Sequence, residues 1–164
     1  MNALIITLRA EPPLRLPLAY HHMIQGALYA AWREAFPALH DEGYSDGTRT
    51  FRLFTFSPLQ GRDSVEGKDI LFSGAVRLEV RSPAAELIDE LAARMLESGH
   101  VRFGRRELSV VDLQAADRLL FYPSARIRTL GPVTVHETLP DGKTLYYAPD
   151  EEAFAGLLKR YFGK

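Results

Sequence analysis

Apolar and polar positions in the first third of the chain follow two periods, one typical of strands and one typical of helices. Residues 3–8 form a β-rich apolar run that Pro12 and Pro13 end, which predicts a first strand. Over residues 18–35 the apolar positions recur every three or four residues, which predicts a helix that ends or kinks at Pro37. The apolar stripe of this helix consists of Tyr20, Ile24, Ala27, Leu28 and Ala31.

The middle of the chain has two predicted strands before the next helix. Polar loops are predicted at residues 41–49 and 61–68, and residues 51–57 between them are apolar on both faces, as in a central strand. Residues 70–80 predict the next strand. Ser82 and Pro83 then form a helix-start signal, with a hydroxyl cap and a proline at the first helical position. The face of this second helix consists of Leu87, Ile88, Leu91 and Met95, and Gly99 ends it.

A further strand within residues 101–113 completes the order β-α-β-β-α-β. This order predicts an α+β, ferredoxin-like (RRM-like) domain, in which two helices cover one face of an antiparallel sheet. We place this domain at residues 1–117.

The last fifty residues begin the pattern again. Residues 119–129 predict a strand, and residues 133–135 and 144–147 flank a Pro-Asp-Gly turn, which indicates a hairpin. Asp150 is the predicted cap of a final helix, and we expect the apolar face of that helix to mediate self-association as a homodimer. That face consists of Phe154, Leu157, Leu158 and Tyr161. Residues 118–164 therefore read as the start of a second, incomplete ferredoxin-like domain.

Composition and charge narrow the possible chemistry. The 164 residues include no cysteine, which excludes disulfides, cysteine-ligated metals and a thiol nucleophile. Twenty basic and 21 acidic residues give a formal net charge of -1, so nucleic-acid binding would need a local basic surface. No apolar run approaches the roughly 20 residues of a membrane span, and the start lacks signal-peptide features, so we expect a cytoplasmic protein.

The first helix and the segment after it carry the candidate chemistry. Tyr29 lies about 180° from Tyr20 on a helical projection, His40 follows the Pro37 break, and Arg52 begins the next strand. A tyrosine, a histidine and an arginine that converge can cleave RNA without a metal, because two groups move protons and a cation stabilises the phosphorane. We find no nucleotide-binding loop, no zinc motif and no paired-carboxylate metal site, so no cofactor or metal is predicted.

Each of these residues also has a plain structural interpretation. On spacing alone, His40 is more often a surface histidine, Tyr29 a packing residue and Arg52 a solvated strand residue. Local basic clusters are the candidate RNA contacts, although clustered arginines are usually just solvated. They are Arg102, Arg105, Arg106, Arg126 and Arg128.

Several sequence blocks change this balance. The stretches LPLAYHHMIQGALYAAW, ALHDEGY and RTFRLFTFSPL resemble the amino-terminal half of the CRISPR-associated endoribonucleases of the RAMP superfamily. The matching positions are Pro17, Tyr20, Tyr29, Leu39-His40 and residues 53–57. The later blocks TLGPVTVHE, DGKTLYYAP and EEAFAGLLKRYF resemble the entry of that family into its second domain.

The resemblance implies two ferredoxin-like domains in tandem and metal-independent cleavage of CRISPR repeat RNA into guide RNAs, with a 2′,3′-cyclic phosphate on the product. The tyrosine–histidine–lysine trio of some members maps onto Tyr29, His40 and Arg52. The arginine departs from the family pattern. It supplies a permanent cation that can grip phosphate, but it is poorly suited to transfer a proton.

A second departure is the glycine-rich loop near the carboxyl terminus of the family, which this sequence lacks. The sequence therefore predicts a truncated or reduced member with weakened RNA affinity. Two other interpretations stay open at this point. One is a non-catalytic RNA-binding or scaffold subunit of a CRISPR effector complex, and the other is a ferredoxin-like small-molecule or oligomerisation domain.

Overall fold

In the computed structural model, the first strand, β1 (Ala3–Arg9), is the middle strand of a five-stranded antiparallel sheet. The structure describes residues 2–39, 44–45, 50–51, 53–116 and 133–162. The chain divides into two compact units, Met1–Pro123 and Ser124–Lys164. The predicted boundary between residues 117 and 118 stays a prediction, as does the ferredoxin-like character of the second unit.

The strands of the sheet are ordered as a ferredoxin-like fold requires. On one side of β1 lies β8 (Ala75–Arg81), followed by β5 (Thr55–Phe56) at the edge; on the other side lie β10 (Arg106–Ala115) and β9 (His100–Phe103). Helix α1 (His21–Trp32) connects β1 toward β5, and α2 (Ala85–Ser98) connects β8 toward β9 and β10. The fold prediction is confirmed, and β9 adds one strand beyond the basic four.

The core lies between the sheet and the two helices. Leu4, Ile6 and Leu8 alternate along β1 and are at most 1% exposed, so one face of the central strand is fully covered. Ile24 and Leu28 from the predicted stripe of α1 are equally buried. Each such side chain contributes about 1.5–3 kcal/mol through burial.

A separate three-stranded sheet was not predicted. It consists of β2 (Leu14–Pro17), β7 (Asp69–Phe72) and β6 (Asp63–Glu66), in the order β2-β7-β6. The prediction of a loop at residues 61–68 was therefore wrong, because β6 lies within it. The single strand predicted at residues 70–80 is also divided, since Gly74, with a φ of 99°, separates β7 from β8.

The helix starts differ from the predictions. Pro17 belongs to β2, so α1 begins only at His21. Helix α2 begins at Ala85, and its N-cap is Ala84 instead of the predicted Ser82. The Ser82 hydroxyl accepts a hydrogen bond from the Ala84 N–H at 3.0 Å and donates to the Leu53 carbonyl. Ser82 thus connects the approach to α2 with residue 53. The predicted end at Gly99 is confirmed, with a φ of 68° and its N–H bonded to the Met95 carbonyl.

The predicted central strand at residues 51–57 was wrong. Its residues are divided between β4 (Thr50–Phe51), which pairs with β3 (Tyr44–Ser45), and the edge strand β5. The apolar character on both faces has another cause. Phe54 and Phe56 pack against the core while aromatic side chains of α1 approach them.

The second unit contains the predicted hairpin, formed by β11 (Val135–Thr138) and β12 (Thr144–Tyr147), and then α3 (Glu152–Phe162). Leu157 of α3 is 9% exposed, and the Tyr161 hydroxyl donates to the His136 carbonyl at 2.9 Å, so the hairpin covers part of the apolar face. The Ala148 N–H donates to Glu151, one residue from the predicted cap at Asp150. The predicted strand at residues 119–129 lies outside the described residues, and self-association stays a prediction.

Across the described residues, no helix combines the length and the apolar character that crossing a membrane would require.

Candidate active site

Tyr29 lies on the half-exposed face of α1. The other side of the helix is buried through Tyr20, Ile24 and Leu28, and buried Trp32 lies one turn after Tyr29. Tyr29 itself is half-buried, and the exposed side chains of His22 and Arg33 share its side of the helix. Tyr29 lies off the stripe of Tyr20, Ile24 and Leu28, as predicted, but its hydroxyl oxygen is buried, so its catalytic role stays a prediction.

The ring of Tyr29 is held by a cluster of aromatic side chains. Phe54 meets it edge to face, with ring centroids 5.4 Å apart and planes at 85°. The other side of Phe54 meets Trp32, with centroids 4.7 Å apart. Trp32 is fully buried, and its indole N–H donates to the Leu87 carbonyl at 2.7 Å. Tyr29 is therefore fixed through Phe54 to a tryptophan that connects α1 with α2.

His40 and Arg52, the other two predicted catalytic residues, lie outside the described residues. In the sequence, His40 follows Leu39, which packs against the core, and Arg52 precedes Phe54 by two residues. Convergence of the trio stays a prediction.

A second aromatic group lies at the start of α1. Tyr20 is 5% exposed; its hydroxyl accepts a hydrogen bond from the Leu59 N–H at 3.0 Å, and its ring meets Phe72 edge to face. Burial raises the pKa of the Tyr20 phenol, and the carboxylate of Asp63 acts in the same direction, whereas the bond from Leu59 opposes it. Exposed His21 stacks on this ring, with centroids 4.8 Å apart and planes at 11°.

The sequence pattern does not predict this stacking. The available signal was the alternation of Phe54 and Phe56, together with the aromatic pair of Tyr20 and His21 at the start of α1.

The basic candidates differ in their surroundings. Arg102 pairs with Glu107 across the β9–β10 hairpin at 3.1 Å. Arg105 and Arg106 are exposed and form no ion pair with any described residue. Their turn lies against α1, because a Cβ added at Gly104 would lie 2.5 Å from the Met23 methyl group. Arg126 and Arg128 lie outside the described residues.

A groove of about 520 Å³ lies between the carboxyl-terminal halves of α1 and α2 and the edge of β9. Its charged side chains are mostly paired, since Arg94 binds Glu34, Glu90 and Glu97. The groove does not include Tyr29. Within the described ranges, no three histidine or carboxylate side chains gather as a metal ion would require.

Comparison with protein families identifies a match over most of the first unit. The family described as CRISPR-associated protein Cas6, N-terminal, matches residues 15–114. The CRISPR-associated endoribonuclease Cas6 1 of Methanocaldococcus jannaschii is 28% identical over 156 residues, which cover 91% of this chain and 59% of that protein. The chain thus spans less than two thirds of the length of this relative.

Solved structures show the same fold. A structure of a CRISPR associated protein Cas6 has a TM-score of 0.63 at 24% identity, and the match covers 99% of this chain and 70% of the chain in that structure. The product of a Cas6-related gene from Pyrococcus furiosus has a TM-score of 0.70 at 19% identity, with 97% and 67% coverage. A RAMP protein that binds different RNA substrates has a TM-score of 0.69 at 18% identity, with 98% and 68% coverage.

Proposed function

Since the chain belongs to the Cas6 family of CRISPR-associated proteins, we propose that it is an endoribonuclease that cleaves CRISPR repeat transcripts into guide RNAs. The observation that carries the proposal is the extent of the family match. Residues 15–114 include Tyr29, His40 and Arg52 together with the helix and the strands around them. The name of the Methanocaldococcus jannaschii relative, an endoribonuclease, supports the same reaction class. A cytoplasmic location is part of the proposal.

The proposed reaction needs no metal ion. One side chain removes the proton from a ribose 2′-hydroxyl, whose oxygen then attacks the adjacent phosphorus. The bond from phosphorus to the leaving 5′-oxygen breaks, and a second side chain gives that oxygen a proton. The product ends in a 2′,3′-cyclic phosphate. Because only RNA has the 2′-hydroxyl, DNA of the same sequence is not a substrate.

Tyr29 and His40 are the proposed proton-transfer pair, and Arg52 is the proposed cation. The edge contact with Phe54 fixes the Tyr29 ring before substrate arrives, which lowers the entropy that the reaction must lose in positioning it. A guanidinium keeps its charge at every working pH, so Arg52 stabilises the phosphorane charge without transferring a proton.

The test is cleavage of repeat RNA in EDTA, with repeats from the arrays that neighbour the gene. We expect a single cut and a fragment that accepts a poly(A) tail only after its cyclic phosphate is removed. His40→Ala should abolish the cut while RNA binding stays within a few-fold, and His22→Ala is the matched control. Full cleavage by His40→Ala would remove the histidine from the mechanism.

The second candidate is a non-catalytic RNA-binding subunit of a CRISPR effector complex. The burial of the Tyr29 hydroxyl oxygen favours it, because a buried hydroxyl does not reach a substrate without a rearrangement. Binding of repeat RNA by the unaltered protein without any cut would support this candidate and contradict the nuclease proposal.

A further inference from the structure

The ring of His21 is an exposed aromatic surface with a rigid support. One face of the imidazole stacks on Tyr20 at a centroid distance of 4.8 Å, while the side chain as a whole is exposed to solvent. An exposed ring that is already stacked on a buried ring loses little side-chain entropy when a further ring stacks on it.

Tyr20 is fixed by burial and by two partners. It is 5% exposed, its hydroxyl accepts the Leu59 N–H, and Phe72 meets its ring at 86° with centroids 6.2 Å apart. None of these partners lies on α1. The support beneath His21 therefore belongs to the folded core and does not depend on the helix end alone.

The aromatic surface continues from His21 to the candidate catalytic tyrosine. The ring of His21 lies 6.2 Å from Phe56, Phe56 lies 6.5 Å from Phe54, and Phe54 lies 5.4 Å from Tyr29, measured between centroids. Both phenylalanines are half-buried. We call this series, His21–Phe56–Phe54–Tyr29, the aromatic strip. Eight residues of α1 separate its ends, about 12 Å along the helix axis.

The backbone of Lys68 is bonded to the segment just before the outer end of the aromatic strip. The Leu18 N–H donates to the Lys68 carbonyl at 3.0 Å, three residues before His21. The Lys68 side chain is exposed and pairs with no described carboxylate, so it is a candidate phosphate contact. Single-strand RNA sites commonly combine rings for the bases with cations for the phosphates.

We propose that His21, stacked on Tyr20 and followed by Phe56, binds one unpaired base of the RNA substrate by stacking and so places the neighbouring nucleotides along the aromatic strip toward Tyr29. The inference rests on the proposed function for the identity of the RNA. Unpaired bases commonly stack on aromatic side chains, histidine included, and such stacking tolerates different bases.

The experiment is an abasic scan of the repeat RNA. Single nucleotides are replaced in turn by abasic ribose, and binding to the full chain is measured by fluorescence anisotropy. Where a cut has been mapped, the nucleotide that supplies the 2′-hydroxyl is made 2′-deoxy so that the RNA stays intact. For the unaltered protein we expect one position at which the loss of the base weakens binding about tenfold.

Three variants test whether His21 is the partner of that base. In His21→Ala, binding of intact RNA should fall about tenfold, and the abasic change at the sensitive position should have less than a twofold effect. His21→Phe should keep the affinity for intact RNA and the effect of the abasic change close to those of the unaltered protein, because phenylalanine also has a ring. The matched control is His22→Ala, whose imidazole Nδ1 lies 2.7 Å from the Ala19 carbonyl instead of on a ring, and it should behave as the unaltered protein does.

An unchanged abasic profile in His21→Ala would overturn the proposal, and so would a His21→Phe variant that binds as weakly as His21→Ala. Cleavage of RNA together with an unchanged profile would reject only the stacking site. Binding with the expected profile but without cleavage would reject only the nuclease. A chain that binds no repeat RNA would reject both.

Discussion

The rings of Tyr29 and Phe54 meet edge to face, with centroids 5.4 Å apart and planes at 85°. This contact joins the candidate catalytic helix to the segment that leads into β5. A tyrosine used in proton transfer must hold its hydroxyl oxygen at hydrogen-bond distance from the reacting atom, about 2.6–3.2 Å, and an aromatic edge contact restricts the ring without using the hydroxyl.

Tyr29→Phe should slow cleavage by about 10²- to 10⁴-fold, the usual contribution of a general acid or base. The substitution keeps the ring and its contact with Phe54, so RNA binding should stay within a few-fold. Single-turnover cleavage with saturating protein measures the rate directly. Tyr146→Phe, on the exposed ring of β12, is the control. Equal rates for Tyr29→Phe and this control would exclude Tyr29 from proton transfer.

Phe54→Leu should slow cleavage about tenfold, because Tyr29 loses the ring that positions it. The free energy of unfolding should fall by about 1 kcal/mol from the lost aromatic contacts. As a positioning residue, Phe54 should leave the shape of the pH–rate profile unchanged while the maximal rate falls. A shifted pH profile would indicate that Phe54 affects the titrating groups themselves.

Trp32→Phe should lower the free energy of unfolding by about 2 kcal/mol, since the smaller ring leaves space in the core and the Leu87 carbonyl loses its indole donor. Urea unfolding followed by circular dichroism gives the value. Leu96→Ala on α2 is the comparison, because Leu96 is 74% exposed and its loss should cost less than about 0.5 kcal/mol. Similar losses in the two variants would contradict the proposed connection between the helices.

Tyr20→Phe should make stability less sensitive to alkali. Because burial raises the pKa of Tyr20 above its ordinary value of 10.0, the folded chain holds this proton more tightly than the unfolded chain does. Its stabilising effect is complete below about pH 10 and is lost as the pH rises through the folded pKa. Urea unfolding from pH 8 to pH 11, followed by Trp32 fluorescence, should show a shallower decline in the variant. Identical declines would refute the assignment.

Replacement of both Arg105 and Arg106 by glutamine should lower the affinity for RNA and should also make that affinity less dependent on salt. Two lost phosphate contacts reduce the slope of log K against log salt by roughly 1.4 for single-stranded RNA. Arg15→Gln is the control, since Arg15 already pairs with Glu66 and Asp69. If the slope stays the same in the double variant, the β9–β10 turn does not contact the RNA backbone.

The order of elements in the first unit could be predicted because its apolar periods are strong, whereas both main helices begin later than their predicted starts. The buried positions of α1 and α2 follow directly from three- and four-residue spacing. The small sheet could not be predicted, because β6 is exposed along its whole length and carries no apolar alternation. The small sheet also depends on the pairing of β2 with β7, and these two strands are distant from each other in sequence.

The position of Tyr29 on its helix could be predicted from the sequence, whereas the side chains that pack against the candidate site residues could not. Helical geometry places Tyr29 opposite Tyr20 without any knowledge of the fold. Phe54 could not be assigned to Tyr29 from the sequence, since the alternation over residues 51–57 indicated a central strand. The stack of His21 on Tyr20 depends on the turn at residues 18–20, whose shape is set by contacts with Lys68 and Leu59.

The central place of β1 has a consequence for synthesis on the ribosome. Leu4 pairs with Val80 on one side and with Ala115 on the other, so β1 has both neighbours only after residue 115 has been translated. At ordinary elongation rates it waits on the order of ten seconds for the second partner. During that interval an apolar strand with an open edge is available for pairing with other nascent chains.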